Sequence, residues 1–109
     1  MSKRLQRVES RIKEEVASLI RENLDTDRFG WVSVTGVKVA PDLSEARVFI
    51  TVFPEYLEEK TLEKLNASAG FFRKVLSKSL KTKTVPRLRF EVDTLTKLVE
   101  SGKVKPPEG

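Results

Sequence analysis

The chain has 109 residues, 39% of them hydrophobic and 34% charged, which suits one small globular domain with a single core. It contains neither cysteine nor histidine, which excludes a disulfide framework, thiolate chemistry and the commonest general base. The net charge is +5 and the pI is near 9.6. Neither a secretory leader nor a membrane-length apolar run of roughly 20 residues is present, so we expect a cytoplasmic protein.

The first predicted element is an amphipathic helix over residues 4–24. Its apolar residues recur at spacings of three and four, which places them on one side of a helix. They are Leu5, Val8, Ile12, Val16, Leu19, Ile20 and Leu24. The following segment DTDRFG, residues 25–30, breaks this pattern with turn-forming residues.

Two strands joined by a short turn come next. Residues 31–40, WVSVTGVKVA, are rich in β-branched residues, but the first and second halves alternate out of phase. One extra residue at Thr35–Gly36 restores the register, which predicts a β-bulge there. PDLS, residues 41–44, is the predicted turn. The return strand is 45–53, with Ala46, Val48, Ile50 and Val52 on one face.

Helical spacing resumes over residues 55–80 and continues across Gly70, which permits one long helix or two with a bend. Residues 85–93, VPRLRFEVD, alternate as a third strand. The order helix, strand, strand, helix, helix, strand predicts an α+β domain over residues 4–93. Its three-stranded mixed sheet would carry helices on one face. Residues 94–109 are expected to form a short, largely disordered tail with at most a turn or two of helix.

Positive charge is concentrated after Gly70. No acidic residue lies between Gly70 and Phe90, which suits a surface that binds phosphates, although a merely solvated helix face is the plainer explanation for three lysines alone. Lys74, Lys78 and Lys81 are spaced i, i+4 and i+7 without an acidic partner, so they repel one another until an anion binds. The whole predicted patch comprises Arg73, Lys74, Lys78, Lys81, Lys83, Arg87 and Arg89.

Two further features leave alternatives open. Gly70 could be a packing glycine where the helix passes close to the sheet, or a kink that brings backbone amides near phosphates. Arg4, Arg7 and Arg11 form a second basic stripe on the first helix, but Arg11 can also pair with Glu15 at i+4.

The aromatic residues do not indicate base stacking. Phe72 belongs to the core stripe, Phe71 lies on its flank, and Trp31 at the start of a strand is expected at the edge of the core. We therefore expect contacts to the backbone and shape of a polyphosphate ligand rather than to bases.

Four segments in order, RVESRIKEEVASLI, VSVTGVKVAPDLSEARVFITV, GFFRKVL and VPRLRFEVD, resemble the ribosome-binding factor A family of bacterial small-subunit assembly factors. The resemblance implies a type II K-homology fold in which an Ala-x-Gly helical kink replaces the usual Gly-x-x-Gly loop. The matching triplet is Ser68-Ala69-Gly70, with serine in place of the family's alanine. Asp27-Arg28 lacks the proline of the family's Asp-Pro-Arg.

This resemblance implies that the protein binds the 30S subunit and its precursors through 16S rRNA. It also implies a role in 5′-end rRNA maturation, above all in the cold, with no catalysis, metal or cofactor. Nothing in the sequence indicates a state other than a monomer. The alternative is a general binder of anionic polymers such as DNA. A membrane surface is disfavoured, because the large apolar residues of the helices are needed for the core.

Overall fold

In the computed structural model, which describes residues 3–80, 84–100 and 102, helices cover one face of a three-stranded sheet. The helices are α1 (Lys3–Asn23), α2 (Thr26–Phe29), α3 (Glu58–Ala67), α4 (Ala69–Ser79) and α5 (Thr94–Glu100). The strands are β1 (Trp31–Val39), β2 (Glu45–Phe53) and β3 (Arg87–Val92), and a 3₁₀ turn spans Glu55–Leu57. The predicted α+β class and element order are confirmed.

The sheet is mixed because β2 pairs antiparallel with β1 and parallel with β3. The register of β1 and β2 shifts between Val34 and Gly36, which confirms the predicted bulge and leaves Thr35 as the extra residue. Each side of the bulge therefore turns its valines to the same core. The hairpin turn lies between residues 40 and 45, closed by a hydrogen bond from the Ala40 amide to the Glu45 carbonyl.

The core lies between this sheet and the helices. α1 packs mainly on β1, whereas α3 and α4 pack on β3. The inward residues of β2 are all buried, as their alternation predicted. The core residues are Val8, Ile12, Val16, Ile20, Val39, Ala46, Val48, Ile50, Val52, Leu65, Phe72, Leu76, Leu80, Leu88 and Phe90.

The short helix α2 adds to the predicted elements, and α5 lies where a turn or two of helix was expected. DTDRFG contains the four-residue helix α2, capped by Asp25, whose side chain accepts from the Asp27 amide. The segment predicted as a tail begins with α5, whose Lys97 pairs with Glu55 at 2.8 Å and Glu58 at 3.0 Å. The predicted disorder at residues 103–109 lies outside the described residues. No helix in the described part of the chain has the length and apolarity to cross a membrane.

Candidate nucleic-acid interface

The predicted bend between two helices is present, and Ser68 is the residue at which it occurs. Ser68 has φ −95° and ψ 4°, ends α3 and precedes α4. Its amide donates to the carbonyls of Lys64 and Leu65, both at 3.1 Å. Its hydroxyl makes no capping hydrogen bond to α4. The break therefore lies two residues before Gly70, and Gly70 belongs to the first turn of α4.

Gly70 is exposed, and a β-carbon built on it would meet no atom within 4 Å. The packing explanation for this glycine is therefore wrong, because no part of the described fold approaches it. Its backbone is also not in the left-handed region that favours glycine. Within the described fold, neither packing nor backbone conformation requires a glycine here.

Side-chain hydrogen bonds hold this junction against the free edge of β3. The Asn66 amide group donates to the Phe90 carbonyl at 3.1 Å and accepts from the Phe90 amide at 2.9 Å. One turn into α4, Arg73 Nε donates to the Val85 carbonyl at 3.1 Å. The end of α3 and the start of α4 are thus anchored to the third strand and to the segment that enters it.

An open groove of about 510 Å³ lies between α4 and this entering segment. Its lining combines the exposed glycine, two cationic side chains and two hydroxyls. The lining residues are Gly70, Arg73, Lys74, Ser77, Thr84 and Val85. The Ser77 hydroxyl donates to the Lys74 carbonyl at 2.6 Å, so the two cations are the groups of this groove suited to bind phosphate oxygens.

Lys74 and Lys78 are exposed on α4, whose opposite face buries Phe72 and Leu76. Within residues 3–80 and 84–100, neither lysine forms an ion pair. Lys74 borders the groove and Lys78 follows one turn later. Lys81 and Lys83 of the predicted patch lie outside the described residues.

The structure does not bring the arginines of β3 into this groove. Leu88 and Phe90 are buried under the helices, so Arg87 and Arg89, which alternate with them, lie on the opposite face of the sheet. The prediction of one continuous patch from Gly70 to Phe90 is therefore wrong. It failed because a strand sends neighbouring side chains to opposite faces, whereas the helix keeps its lysines on one.

The second basic stripe lies on the helical layer. Arg4, Arg7 and Arg11 are exposed on α1, which also contacts α4. Arg11 pairs with Glu15 at 3.3 Å, as its i, i+4 spacing predicted. This pairing leaves Arg4 and Arg7 as the cations of the stripe without an ion pair among the described residues.

Trp31 is not at the edge of the core as predicted: it is 68% exposed, and its cross-strand partner Phe53 is 71% exposed. The sequence held a signal for this. Because Val32 and Val34 point inward, Trp31 must point outward. Phe72 is buried as predicted, and Phe71 is 49% exposed.

Among residues 3–80, 84–100 and 102, no three acidic, histidine or cysteine residues form a cluster that could hold a metal ion.

Comparison with known proteins gives the family. The family described as Ribosome-binding factor A matches residues 4–102. Ribosome-binding factor A of Psychrobacter arcticus is 43% identical over 105 residues, covering 88% of this chain and 78% of that protein. The crystal structure of the factor from Thermus thermophilus superposes with a TM-score of 0.72 at 25% identity, covering 81% of this chain and 94% of that one.

A third match is a homology model of the Thermus thermophilus factor as fitted into the cryo-EM map of its complex with 30S. It is 25% identical, has a TM-score of 0.66, and covers 76% of this chain and 88% of that one. The family match spans nearly the whole chain, and the identity to the Psychrobacter protein extends over most of both sequences. The chain therefore belongs to the ribosome-binding factor A family.

Proposed function

We propose that this protein binds the 30S ribosomal subunit and its precursors through 16S rRNA and assists the maturation of that subunit. The observation that carries the proposal is family membership, together with the fit of a related factor into a 30S complex. The exposed groove beside α4 supports it, because its cations suit phosphate oxygens.

The start of α4 is the proposed contact with the RNA backbone. Ser68, Ala69 and Gly70 begin this helix, whose dipole and leading amides attract an anion. The absence of a side chain at Gly70 allows a phosphate to approach the backbone closely. Arg73 and Lys74 line the groove beside it, and Lys78, Lys81 and Lys83 extend the basic surface along the chain.

Two other basic surfaces take secondary roles in this proposal. Arg4, Arg7 and Arg11 lie on the same layer as α4 and contact neighbouring phosphates. Arg87 and Arg89 lie on the other face of the sheet, so they contact a different part of the RNA. Contacts of this kind hold a protein in position on RNA but carry little sequence information.

The protein acts without catalysis of its own in this proposal, as a monomer in the cytoplasm. It binds one conformation of the immature subunit more tightly than others and so shifts the population towards it. The role in 5′-end processing and in the cold follows from the family resemblance. Misfolded RNA helices rearrange slowly at low temperature, which makes such a shift most valuable there.

The test is co-sedimentation with purified 30S subunits across a salt series. The variant carries Lys74→Glu and Lys78→Glu, and the matched control carries Lys13→Glu and Arg21→Glu on α1. Both make the same change in net charge. We expect the α4 variant to lose most binding. The salt slope is the slope of the logarithm of the binding constant against the logarithm of the salt concentration, and loss of each phosphate contact should flatten it by about one unit. The control is expected to retain the wild-type slope.

Equal binding by the wild type and the α4 variant would show that these lysines form a solvated face only. Equal losses by both variants would show a response to net charge, which is the behaviour of a general binder of anionic polymers. Competition by duplex DNA as strong as that by rRNA fragments would favour the same alternative. Circular dichroism checks that each variant is folded.

A further inference from the structure

The face of the sheet opposite the helices carries a patterned set of outward side chains. The register of the strands places these side chains in rows across the sheet. Trp31 lies beside Phe53, and the small residues Ser33 and Thr51 form the next row. Phe49 and Glu91 follow, and then the basic row Lys38, Arg47 and Arg89.

The aromatic end of this face is open to solvent. Trp31 and Phe53 are 68% and 71% exposed and are cross-strand partners at the start of β1 and the end of β2. Aromatic rings this exposed contribute little to the core, so folding alone does not account for them. The short side chains of the next row leave the flanks of both rings accessible.

The opposite end of this face is basic. Arg47 is held by Glu91 through hydrogen bonds of 2.7 and 3.0 Å, and its guanidinium lies 5.1 Å from the centre of the Phe49 ring. Lys38 and Arg89 flank it, are exposed, and form no ion pair within the described ranges. The sheet thus holds Arg47 in place and presents two cations beside it.

The distance between the two ends suits an extended polymer. Phe53 and Arg47 are six residues apart on one strand, which separates the aromatic and basic rows by roughly 20 Å. A single strand of nucleic acid carries flat bases and phosphates along the same chain, so it can occupy both ends at once. A row of cations on the same face as exposed aromatic rings is the combination by which proteins bind single-stranded nucleic acid, and an apolar protein partner does not require those cations.

We infer that this face, defined by Trp31, Phe53, Lys38, Arg47 and Arg89, is a second RNA site that binds a single-stranded segment. Bases stack on Trp31 and Phe53, and the backbone crosses the basic row. Stacking on aromatic side chains of an open sheet is an established mode of single-strand recognition in other proteins. The inference rests on the proposed function, since it takes RNA as the ligand.

Trp31 is the only tryptophan of the chain, so its fluorescence reports on this face alone. The probe is a single-stranded oligoribonucleotide of mixed sequence, about ten nucleotides long, and the control probe is its blunt duplex. We expect saturable quenching by the single strand and little by the duplex, whose bases are already stacked. Phe53→Ala keeps the reporter and should weaken binding roughly tenfold, as expected for loss of one stacked base.

Two charge variants complete the design. Lys38→Ala and Arg89→Ala should each flatten the salt slope by about 0.7 units, the value for a contact with a single strand. Lys13→Ala on α1 removes the same charge elsewhere and should leave the slope unchanged. Leu95→Ala removes an exposed apolar side chain outside this face and should leave the affinity unchanged.

The outcomes separate this inference from the proposed function. Absence of quenching, with 30S binding unchanged in a Trp31→Ala/Phe53→Ala variant, overturns the stacking site and leaves the proposed function standing. Loss of 30S binding in that variant without quenching by RNA assigns the face to a protein contact and also overturns it. Failure of the wild type to bind 30S overturns the proposed function itself. Quenching that Phe53→Ala weakens supports the inference.

Discussion

Two glycines of this chain lie in opposite environments. Gly30 has φ +77°, and a β-carbon there would lie 2.5 Å from the Phe53 carbonyl oxygen, so both its backbone conformation and its neighbours require glycine. Gly70 has open space around it and an ordinary helical backbone. The fold therefore explains the first glycine, whereas the second is accounted for only by the proposed phosphate contact.

Substitution of Gly70 separates stability from binding. Gly70→Ala should leave the free energy of unfolding unchanged or raise it by up to about 1 kcal/mol, because alanine is the better helix former. It should nevertheless weaken 30S binding, since a methyl group would stand between α4 and a phosphate. Urea unfolding and co-sedimentation of the same preparation measure the two effects. Undiminished binding would contradict a close backbone approach at this position.

Gly30→Ala is the matched control for this experiment. It should lower the free energy of unfolding by about 1–3 kcal/mol through backbone strain and the clash with Phe53. Stable folding of this variant would show that the turn before β1 relaxes easily. In that case, the contrast between the clash at Gly30 and the open space at Gly70 would not predict how alanine changes the free energy of unfolding at either position.

At the scale of the elements, Asp93 joins the bulge of β1 to the start of α5. Its carboxylate accepts from the Thr35 hydroxyl at 2.5 Å and from the amide and hydroxyl of Thr96 at 3.0 and 2.8 Å. Burial acts to raise the pKa of Asp93, but these hydrogen bonds outweigh burial and hold the pKa below its ordinary value of 3.8. The bulge residue is thus part of a polar contact rather than a packing defect.

The sign of this shift predicts a pH dependence. The pKa of Asp93 is lower in the folded state than in the unfolded state. The stabilisation of the fold by the Asp93 carboxylate is therefore complete above the unfolded-state pKa of 3.8, and it is lost as the pH falls through the folded-state pKa. Asp93→Asn should therefore lower the free energy of unfolding at pH 7 by about 1 kcal/mol. The difference from wild type should shrink below about pH 4.

Urea unfolding of the wild type and of Asp93→Asn, at pH 7 and below about pH 4, measures the difference in their free energies of unfolding. A difference between the two proteins that stays constant with pH would assign the loss to packing rather than to the charge. Ser33→Ala, on the open face of β1, is a control that should change neither stability nor its pH dependence.

At the scale of the whole molecule, the sheet separates two basic surfaces. One lies on the helical layer, at α4 and α1, and the other on the bare face around Lys38, Arg47 and Arg89. A sheet is a stiff, densely packed layer, so a ligand on one face has no direct contact with side chains on the other. The exposed cations of the described residues are therefore presented in two directions.

Losses of 30S binding from the two surfaces should be additive. Lys74→Glu/Lys78→Glu and Trp31→Ala/Phe53→Ala share no partner, so their effects on binding free energy should sum within about 0.5 kcal/mol. A four-substitution variant tested by salt-dependent co-sedimentation measures the sum. A combined loss no larger than that of either pair would show that one surface acts only through the other.

Most of the fold could be predicted from the sequence because the signals are local. The spacing of Val8, Ile12, Val16 and Ile20 marks the buried stripe of α1, and the broken alternation around Thr35 marks the bulge. The helix α2 was not predicted, because it has only four residues and helical periodicity cannot be recognised over so short a segment. The site was predicted less well, since it combines residues from separate elements.

Local signals in the sequence were enough to give the order of the strands and the longer helices, the buried face of each, and the hairpin with its bulge; the resemblance of four segments was enough to give the family. Helical and strand periodicities relate residues only within one element, so the structural properties among these need no knowledge of how elements pack. The family resemblance pointed to the triplet Ser68-Ala69-Gly70 for the helix break, but only the packing of the elements shows that this break lies against β3 and that Arg87 and Arg89 lie across the sheet from Lys74. The packing of α4 on β3 sets those relations, and no spacing along the chain records it.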